Sequence, residues 1–234
     1  MTYIHAMQIA DDIHLFIGQA YAANSLVVLD GKDALLVEGM GARGDAEELK
    51  RTIEGELAAR VKVIVQTHYF ADHMAALGLF PEAAILAQAG YKETWESERF
   101  RAEEEARHFV EPTMLVHDRL TIRWGRHVLD VFHNPGHTPS TLNVDIPTAD
   151  LLHVGDTIVG NIVYLAYSDA QIMAAALERL KARGRTRILA SHGPVVDAVA
   201  IDNASAYLKN LKGQHQLNDF EAIFHARNLE QLAS

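Results

Sequence analysis

One short segment of the chain brings two imidazoles and a carboxylate close together. It reads His-Tyr-Phe-Ala-Asp-His, runs from His68 to His73, and follows the apolar stretch Val61 to Val65. Imidazole nitrogens and carboxylate oxygens bind divalent metals at about 2 Å, and side chains on an irregular turn can converge on one ion. The segment therefore predicts the nucleus of a metal site in a turn after a strand.

Three later segments place further residues of the same kinds after strand-like runs. His137 lies in an Asn-Pro-Gly-His-Thr-Pro loop, Asp156 in Val-Gly-Asp-Thr, and His192 in Ser-His-Gly-Pro. Each segment alone is common in proteins, but the four together, in this order, are specific. They predict that distant parts of the chain contribute to one site.

In order and spacing these segments resemble the metallo-β-lactamase superfamily. In that family a metal loop reading H-x-H-x-D-H is followed by a GHT-type His, a GD-type Asp and a late His. The resemblance spans nearly the whole chain. It implies a binuclear metal site whose ligands here would be His68, Asp72, His73, His137, Asp156 and His192.

The chain departs from the family motif at Phe70, where the second loop His is expected. A phenyl ring has no lone pair for a metal. The resemblance implies that one ion would then keep only His68, His137 and the bridging carboxylate. The site for the other ion, at the Asp-His pair and the late His, keeps all of its implied ligands.

The apolar periodicity predicts alternating strands and helices. Strands are expected at Ile13 to Ile17, Ser25 to Asp30, Ala34 to Glu38, Val61 to Val65, Ala83 to Ala87, Leu120 to Trp124, Val128 to His133, Thr141 to Ile146, Leu151 to Val154 and Arg187 to Ala190. Helices are expected at Gly44 to Arg60, Tyr91 to His108, Asp169 to Arg183 and Ile201 to His215. This pattern and the resemblance both favour an α/β fold, an αββα sandwich of two mixed β-sheets with helices on both outer faces.

Composition limits the kinds of partner that we expect. The 234 residues suit one domain spanning 1–234, and the net charge of −10 disfavours binding to nucleic acid. There is no cysteine, so nitrogen and oxygen must bind any metal. No segment approaches the ~20 apolar residues of a membrane span, so we expect a cytoplasmic protein with a small-molecule substrate and no membrane partner. A homodimer stays an open alternative.

Several other side chains are candidates for supporting roles. His133 and His153 lie on strands that lead into ligand loops, and either could turn inward to replace the imidazole absent at position 70. Glu38 is expected to be a buried carboxylate that orients the metal loop. An apolar wall beside the metal is a weaker prediction, with Tyr69, Phe70, Tyr164 and Tyr167 as its residues.

The retained ligands predict a metal-dependent hydrolase that acts on an ester, lactone, amide or thioester, with zinc as the expected ion and manganese or iron as alternatives. Asp72 could instead act as a catalytic base. One alternative is a mononuclear iron dioxygenase that resembles the persulfide dioxygenases of the same superfamily, with His68, His137 and Asp156 as its triad. Another is a non-catalytic protein that binds a metal or ligand.

Overall fold

Two mixed β-sheets face each other in the computed structural model, which describes residues 4–99, 101–165 and 168–233. The first sheet holds β1 His5–Ala10, β2 Ile13–Ile17, β3 Asn24–Asp30, β4 Asp33–Val37, β5 Arg60–Val65, β6 Ala84–Gln88 and β7 Met114–Val116, in that order. Its first four strands form an antiparallel meander, and β4 to β7 run parallel.

The second sheet is built from the later strands. These are β8 Arg119–Trp124, β9 His127–His133, β10 Leu142–Ile146, β11 Leu151–Gly155, β12 Ile158–Val159, β13 Ile162–Val163, β14 Arg187–Ala190 and β15 Val196–Asp197. The sheet order is β15-β14-β11-β10-β9-β8, while β12 and β13 form a separate hairpin. Only the pairing of β11 with β14 is parallel in the second sheet as described.

Helices cover the outer face of each sheet. They are α1 Arg43–Arg51, continued by a wider turn at Thr52–Glu56, α2 Tyr91–Ser97, α3 Ala170–Lys181, α4 Val199–Lys209 and α5 Asp219–Ala233. Helix α1 packs against the first sheet, and α3, α4 and α5 pack against the second. The predicted αββα sandwich is confirmed. Among the described residues, no helix is both long and apolar enough to cross a bilayer.

The core between the sheets follows from the two-residue period of the strands. On β4, Leu35 and Val37 point into the space between the sheets, whereas Leu36 points toward α1. Side chains from the second sheet, such as Val131 and Val144, fill the other half of that space. Because β4 is buried on both faces, its sequence is continuously apolar instead of alternating.

One edge of the sandwich collects the loops that follow several strands. The parallel pairing of β4 with β5, and of β11 with β14, brings the carboxyl ends of these strands to common edges. Strand β9 runs in the same direction as β11, because two antiparallel steps through β10 separate them. The loops after β5, β9, β11 and β14 carry the predicted ligands.

The predicted helix Tyr91 to His108 is wrong beyond its first two turns. Helix α2 ends at Ser97, and Glu98 adopts an extended conformation with φ −62° and ψ 117°. The Glu98 carboxylate turns inward and accepts the backbone N–H of Ala71 at 3.1 Å. This tertiary contact overrides the local helical preference of the charged segment.

The predicted closing helix Ile201 to His215 is also wrong at its end. Helix α4 stops at Lys209, where Asn210 and Gly213 form a turn closed by a backbone hydrogen bond of 2.8 Å. Helix α5 and the short strands β1, β7, β12, β13 and β15 were not predicted from the sequence. These strands are exposed or only two or three residues long, so their sequences carry little periodicity.

Candidate metal centre

The loop after β5 carries three of the predicted ligands. A single turn of 3-10 helix, Ala71–His73, reverses the chain there. The side-chain amide of Gln66 donates to the His68 carbonyl at 2.8 Å and shapes the start of the loop. His68 and His73 are buried, whereas the Asp72 side chain keeps 29% of its surface exposed. Asp72 is therefore the ligand candidate from this loop that solvent and a substrate can reach.

Three other loops bring the remaining candidates to the same place. His137 follows β9, Asp156 follows β11 and His192 follows β14. Gly155, just before the carboxylate, has φ +57°, and a Cβ there would lie 3.1 Å from Thr67 Oγ1. A glycine at this position lets the end of β11 approach the metal loop closely.

The four imidazoles direct their Nε2 atoms toward one oxygen, Asp156 Oδ2. The distances from Nε2 to this oxygen are 3.3 Å for His192, 3.5 Å for His73, 3.9 Å for His68 and 4.0 Å for His137. Two ligand atoms on one zinc ion, each about 2.0–2.2 Å from it, lie roughly 3–4 Å apart. The cluster therefore has the spacing of a metal site.

The side chains divide into two groups that could each hold an ion. His68, His137 and Asp156 form one, and Asp72, His73 and His192 form the other. In the second group, Asp72 Oδ1 lies 3.5 Å from His73 Nε2, and Asp72 Oδ2 lies 3.9 Å from His192 Nε2. The division is the one that the family resemblance implies, and the role of these residues as ligands stays a prediction.

Backbone carbonyls orient two of the imidazoles from behind. His137 Nδ1 lies 3.1 Å from the carbonyl oxygen of Tyr164, and His192 Nδ1 lies 2.8 Å from that of Tyr21. Because a carbonyl only accepts, Nδ1 carries the proton in each ring. The lone pair on Nε2 then faces the cluster, which is the tautomer that a metal requires.

Glu38 orients the metal loop. It has a left-handed backbone with φ +69°, and its Oε1 accepts the N–H of Thr67 at 3.1 Å and the Thr67 hydroxyl. Its Oε2 lies 2.7 Å from His73 Nδ1, and Thr67 Oγ1 lies 3.0 Å from His68 Nδ1. The prediction of a buried, orienting carboxylate at this position is confirmed.

Several buried polar atoms in the cluster lack a hydrogen-bonding partner in the described part of the chain, which favours a bound cation. The Nε2 atoms of His68, His73 and His137 and the Oδ1 atom of Asp156 have no hydrogen-bonding partner within the described residues. An unsatisfied buried polar atom costs about 1–3 kcal/mol. A divalent ion that takes nitrogen and oxygen ligands would satisfy all four, so the residues fit a metal such as zinc.

The charges in the cluster also favour a cation. Burial alone raises the pKa of Asp156, but His192 and His73 outweigh burial and hold it well below its ordinary value. Burial alone lowers the pKa of His73, yet the carboxylates of Asp72, Glu38 and Asp156 hold it well above its ordinary value. Asp156 is therefore held ionised, and the carboxylates around His73 attract positive charge.

Phe70 lies among the imidazoles, as predicted from the motif. Its ring centroid is 5.2 Å from that of His68 and 5.2 Å from that of His137, with edge-to-face geometry in both cases. It therefore stands beside the group of His68, His137 and Asp156. That group consequently has two imidazoles where the family motif implies three.

Neither His133 nor His153 replaces the missing imidazole in the groups that could hold a metal. His133 Nε2 lies 2.7 Å from the carbonyl of Pro139, away from the cluster. His153 is fully buried, and its Nδ1 accepts the N–H of Gly155 at 3.3 Å. Burial lowers the pKa of His153 to about 4, so this imidazole stays neutral.

A cavity of about 210 Å³ opens onto the cluster. The predicted ligands Asp72, Asp156 and His192 line it, and so do Phe70 and Tyr164, two of the residues expected in the apolar wall. Glu98, which lies beside this cavity, has its pKa raised to about 7 by burial. The residues that sequence reasoning missed are Tyr21, Glu98, Glu105, Phe220, Ile223, Phe224 and Arg227.

The prediction that Tyr69 borders this cavity is wrong. Its hydroxyl donates to the Val110 carbonyl at 2.8 Å, and its ring packs on Tyr91 and Phe109 in the core under α1. Neighbouring residues of an extended segment face opposite sides, so Phe70 can face the cluster only if Tyr69 faces away. Tyr167 lies outside the described residues.

A family model described as the metallo-beta-lactamase superfamily matches residues 18–192. The acyl-coenzyme A thioesterase MBLAC2 of Bos taurus is 29% identical over an alignment of 176 residues, and the match covers 64% of this chain and 63% of that protein. The protein of the same description from Homo sapiens is 27% identical over 181 residues, again 64% and 63%.

These curated relatives are longer than the region they share with this chain, which spans 63% of their length. Among solved structures, a metallo-beta-lactamase from Pontibacter korlensis superposes with a TM-score of 0.75 at 20% identity. The superposition covers 89% of this chain and 100% of that one. At this identity the structural likeness shows a shared fold.

Proposed function

The chain belongs to the metallo-beta-lactamase superfamily, and on that premise we propose that it is a metal-dependent hydrolase of small-molecule esters, lactones, amides or thioesters. The observation that carries the proposal is the convergence of four Nε2 atoms on Asp156 Oδ2 at 3.3–4.0 Å. Such a convergence of imidazoles on one carboxylate in a buried cavity is typical of a metal site.

We assign the tighter of two metal positions to Asp72, His73 and His192, with Asp156 as the shared carboxylate. Three considerations favour it. With the shared Asp156 this position has four donor residues, whereas the other has three, and Glu38 supports His73. The ring of Phe70 packs on the imidazoles of the other position, His68 and His137. The position at His68 and His137 would bind an ion more weakly. Zinc is the first choice because the donors are nitrogen and oxygen, and manganese or iron would also accept them.

A metal held there would lower the pKa of a water molecule toward ~7 and polarise a carbonyl oxygen. The protein would orient the ligands through Glu38 and the two backbone carbonyls, and would exclude bulk water with the aromatic side of the cavity. We assign the proton-accepting role to Asp72. Its side chain is 29% exposed at the cavity, against 3% for Asp156.

Within this range of substrates a thioester is the first choice. The support is the similarity, at 29% and 27% identity, to two proteins described as acyl-coenzyme A thioesterases. A metal would polarise the carbonyl oxygen of a thioester, an ester, a lactone or an amide in the same way. Activity assays are therefore needed to rank these four substrate classes.

The proposal is tested by incubating zinc-loaded protein with acyl-coenzyme A thioesters, aryl esters, lactones and β-lactams. We expect hydrolysis of at least one class, loss of the activity after treatment with a chelator, and its return when zinc is added. Fully metal-loaded, folded protein that hydrolyses none of them would contradict the proposal and would favour a protein that only binds a metal or ligand.

A second candidate function rests on the group of His68, His137 and Asp156, which has the two-His, one-carboxylate composition of non-heme iron sites. In that case purified protein would contain iron and consume oxygen in the presence of a thiol or persulfide. Zinc-dependent hydrolysis without oxygen uptake would exclude this alternative.

Replacing Phe70 by histidine is expected to strengthen the weaker metal position, because the new imidazole would supply the ligand that the family motif implies. Metal content after dialysis should rise from about one to about two ions per chain. Phe70→Leu is the matched control, since it removes the aromatic ring without adding a ligand. Equal metal content in wild type and Phe70→His would show that a side chain at position 70 does not coordinate a metal ion.

A further inference from the structure

Helix α5 lies against the metal centre although it belongs to a part of the chain that the family model does not match. That match ends at residue 192, whereas α5 spans Asp219–Ala233. The ring of Phe220 is 5.6 Å from His192, and the ring of Phe224 is 6.0 Å from it. Residues outside the range that the family model matches thus border one of the predicted metal ligands.

The aromatic side chains at this place form a continuous surface. Phe224 packs edge-to-face on Phe220 and on Tyr164, at 5.0 Å in both cases, and Tyr164 lies 5.0 Å from His137. Phe70 continues the surface beyond His137. We call this surface the aromatic wall, and its members are Phe70, Tyr164, Phe220 and Phe224. All four line the cavity that opens onto the metal centre.

Buried polar contacts hold α5 in place at its start. Asn218 and Glu221 form a reciprocal cap, in which the Asn218 side chain accepts the N–H of Glu221 at 2.8 Å and Glu221 accepts the N–H of Asn218 at 3.1 Å. The other Glu221 oxygen accepts the N–H of Asn161 at 2.8 Å. Gly160 has φ +63°, and a Cβ there would lie 2.4 Å from Glu221, so glycine lets the two segments meet.

A second buried contact holds the middle of α5. Asn228 is fully buried, accepts the N–H of Leu165 at 2.9 Å and donates to the carbonyl of Val163 at 2.7 Å. Each of these bonds joins α5 to the segment that carries Tyr164. The aromatic wall is therefore a fixed surface, and its shape is set before any ligand arrives.

The rest of the cavity indicates which ligand the aromatic wall suits. The carboxylates of Asp72, Glu98 and Glu105 line the cavity together with the guanidinium of Arg227, and because the acidic groups outnumber this cation the lining disfavours an anionic group. The cavity volume of about 210 Å³ lies below the ~300–1,000 Å³ of typical ligand pockets. A neutral, apolar group of modest size, attached to a carbonyl at the metal, fits both facts.

We propose that α5 determines the substrate specificity of this site, and that Phe220 and Phe224 bind the apolar acyl group of a short-chain or medium-chain acyl ester or thioester. This inference rests on the proposed hydrolase function and names the part of the substrate that the site selects. The acyl chain lies on the aromatic wall, and its carbonyl carbon faces Asp72 and Asp156.

The kinetic test compares acetyl and hexanoyl thioesters as substrates of zinc-loaded wild type and Phe224→Ala. We expect wild type to prefer the hexanoyl group, and the variant to lose about 10-fold or more in kcat/KM for it at unchanged zinc content, since one methylene in a fitted pocket changes kcat/KM about 10–200-fold. Leu229→Ala, on an exposed position of the same helix, is the matched control and should behave as wild type. Should Phe224→Ala fail to fold, Phe220→Ala, at a half-buried position, gives the same test.

A binding measurement separates this inference from the proposed function. Calorimetry with zinc-loaded protein should show hexanoate binding at least about 10-fold more tightly than acetate, because about 0.8 kcal/mol accompanies each buried CH₂. Phe224→Ala should remove most of this difference. Equal affinities for acetate and hexanoate in wild type would overturn the aromatic wall as an acyl site, whatever the activity. A preference that depends on Phe224 in a protein without hydrolytic activity would support the wall and contradict the proposed function.

Discussion

Replacing Asp156 by asparagine is expected to abolish metal retention and to lower hydrolysis at least about 100-fold, because even residues that only orient metal ligands contribute about 10–100-fold. All four imidazole Nε2 atoms lie within 4.0 Å of the Asp156 Oδ2 atom, so this carboxylate neutralises charge for both metal positions. Asparagine keeps the size of the side chain but removes its negative charge.

The Asp156→Asn variant should be examined by metal analysis after dialysis and by steady-state kinetics. Asp33→Asn, at the exposed first residue of β4, is the control for a general effect of removing a carboxylate. A variant that retains the wild-type metal content would show that Asp156 is not a ligand, and the assignment of the shared carboxylate would have to be abandoned.

The second large effect is expected for Glu38→Gln. This substitution leaves every predicted ligand in place but changes the residue that orients the metal loop. Glu38 lies 2.7 Å from His73 Nδ1 and accepts the N–H and the hydroxyl of Thr67. A glutamine cannot accept at both ends. We expect metal affinity to fall by about 10–100-fold, as for other residues that orient metal ligands. Competition with a chelator of known affinity measures this change, and Glu56→Gln, at an exposed position, is the control.

Glu38→Gln should also change the dependence of stability on pH. Burial raises the pKa of Glu38, but His73 and His68 outweigh burial and hold it at about 2, below the ordinary value of 4.5. In the folded protein the carboxylate therefore contributes stability above pH ~4.5, and this contribution, about 3 kcal/mol, is lost as the pH falls toward 2. Urea unfolding of chelator-treated protein should show a shallower loss of stability below pH 4.5 in the variant. Parallel curves for the two proteins would contradict the charged state assigned to Glu38.

The sequence predicts where the candidate site lies because each predicted ligand follows a strand that is easy to recognise. His68, Asp72 and His73 follow the apolar β5, and Asp156 follows the buried β11. Once these strands share an edge, their loops must meet, and no knowledge of side-chain geometry is needed. The orienting role of Glu38 is predictable for the same reason, since it follows β4.

Other parts of the site could not be predicted because they depend on contacts between distant segments. The carbonyls of Tyr21 and Tyr164 orient imidazoles, but any residue type has a carbonyl, so the sequence carries no signal for them. Glu98 turns toward the cavity, where its carboxylate accepts a hydrogen bond from the N–H of Ala71, a residue 27 positions away in the sequence. The side of the loop that Tyr69 faces depends on Phe70, and sequence reasoning assigned both rings to the cavity.

Helix α5 could not be predicted for a different reason. Its inner face consists of the buried Glu221, Phe224 and Asn228 and the half-buried Phe220, a mixture of apolar and polar residues that weakens the amphipathic pattern. Glu221 and Asn228 are buried because they bond to the backbone at Asn161, Val163 and Leu165. A pattern search that expects apolar residues on the buried face misses such a helix. Failure to recognise α5 leaves out a large part of the candidate site, because this helix forms one side of the cavity.

The central claim, that these imidazoles and carboxylates hold a metal, is tested most directly by metal stoichiometry. Protein stripped with a chelator, incubated with excess zinc and then dialysed should retain about one tightly bound ion per chain, held by nitrogen and oxygen donors about 2.0–2.2 Å away in X-ray absorption spectra. Retention of no zinc, manganese or iron by protein that is demonstrably folded would contradict the claim.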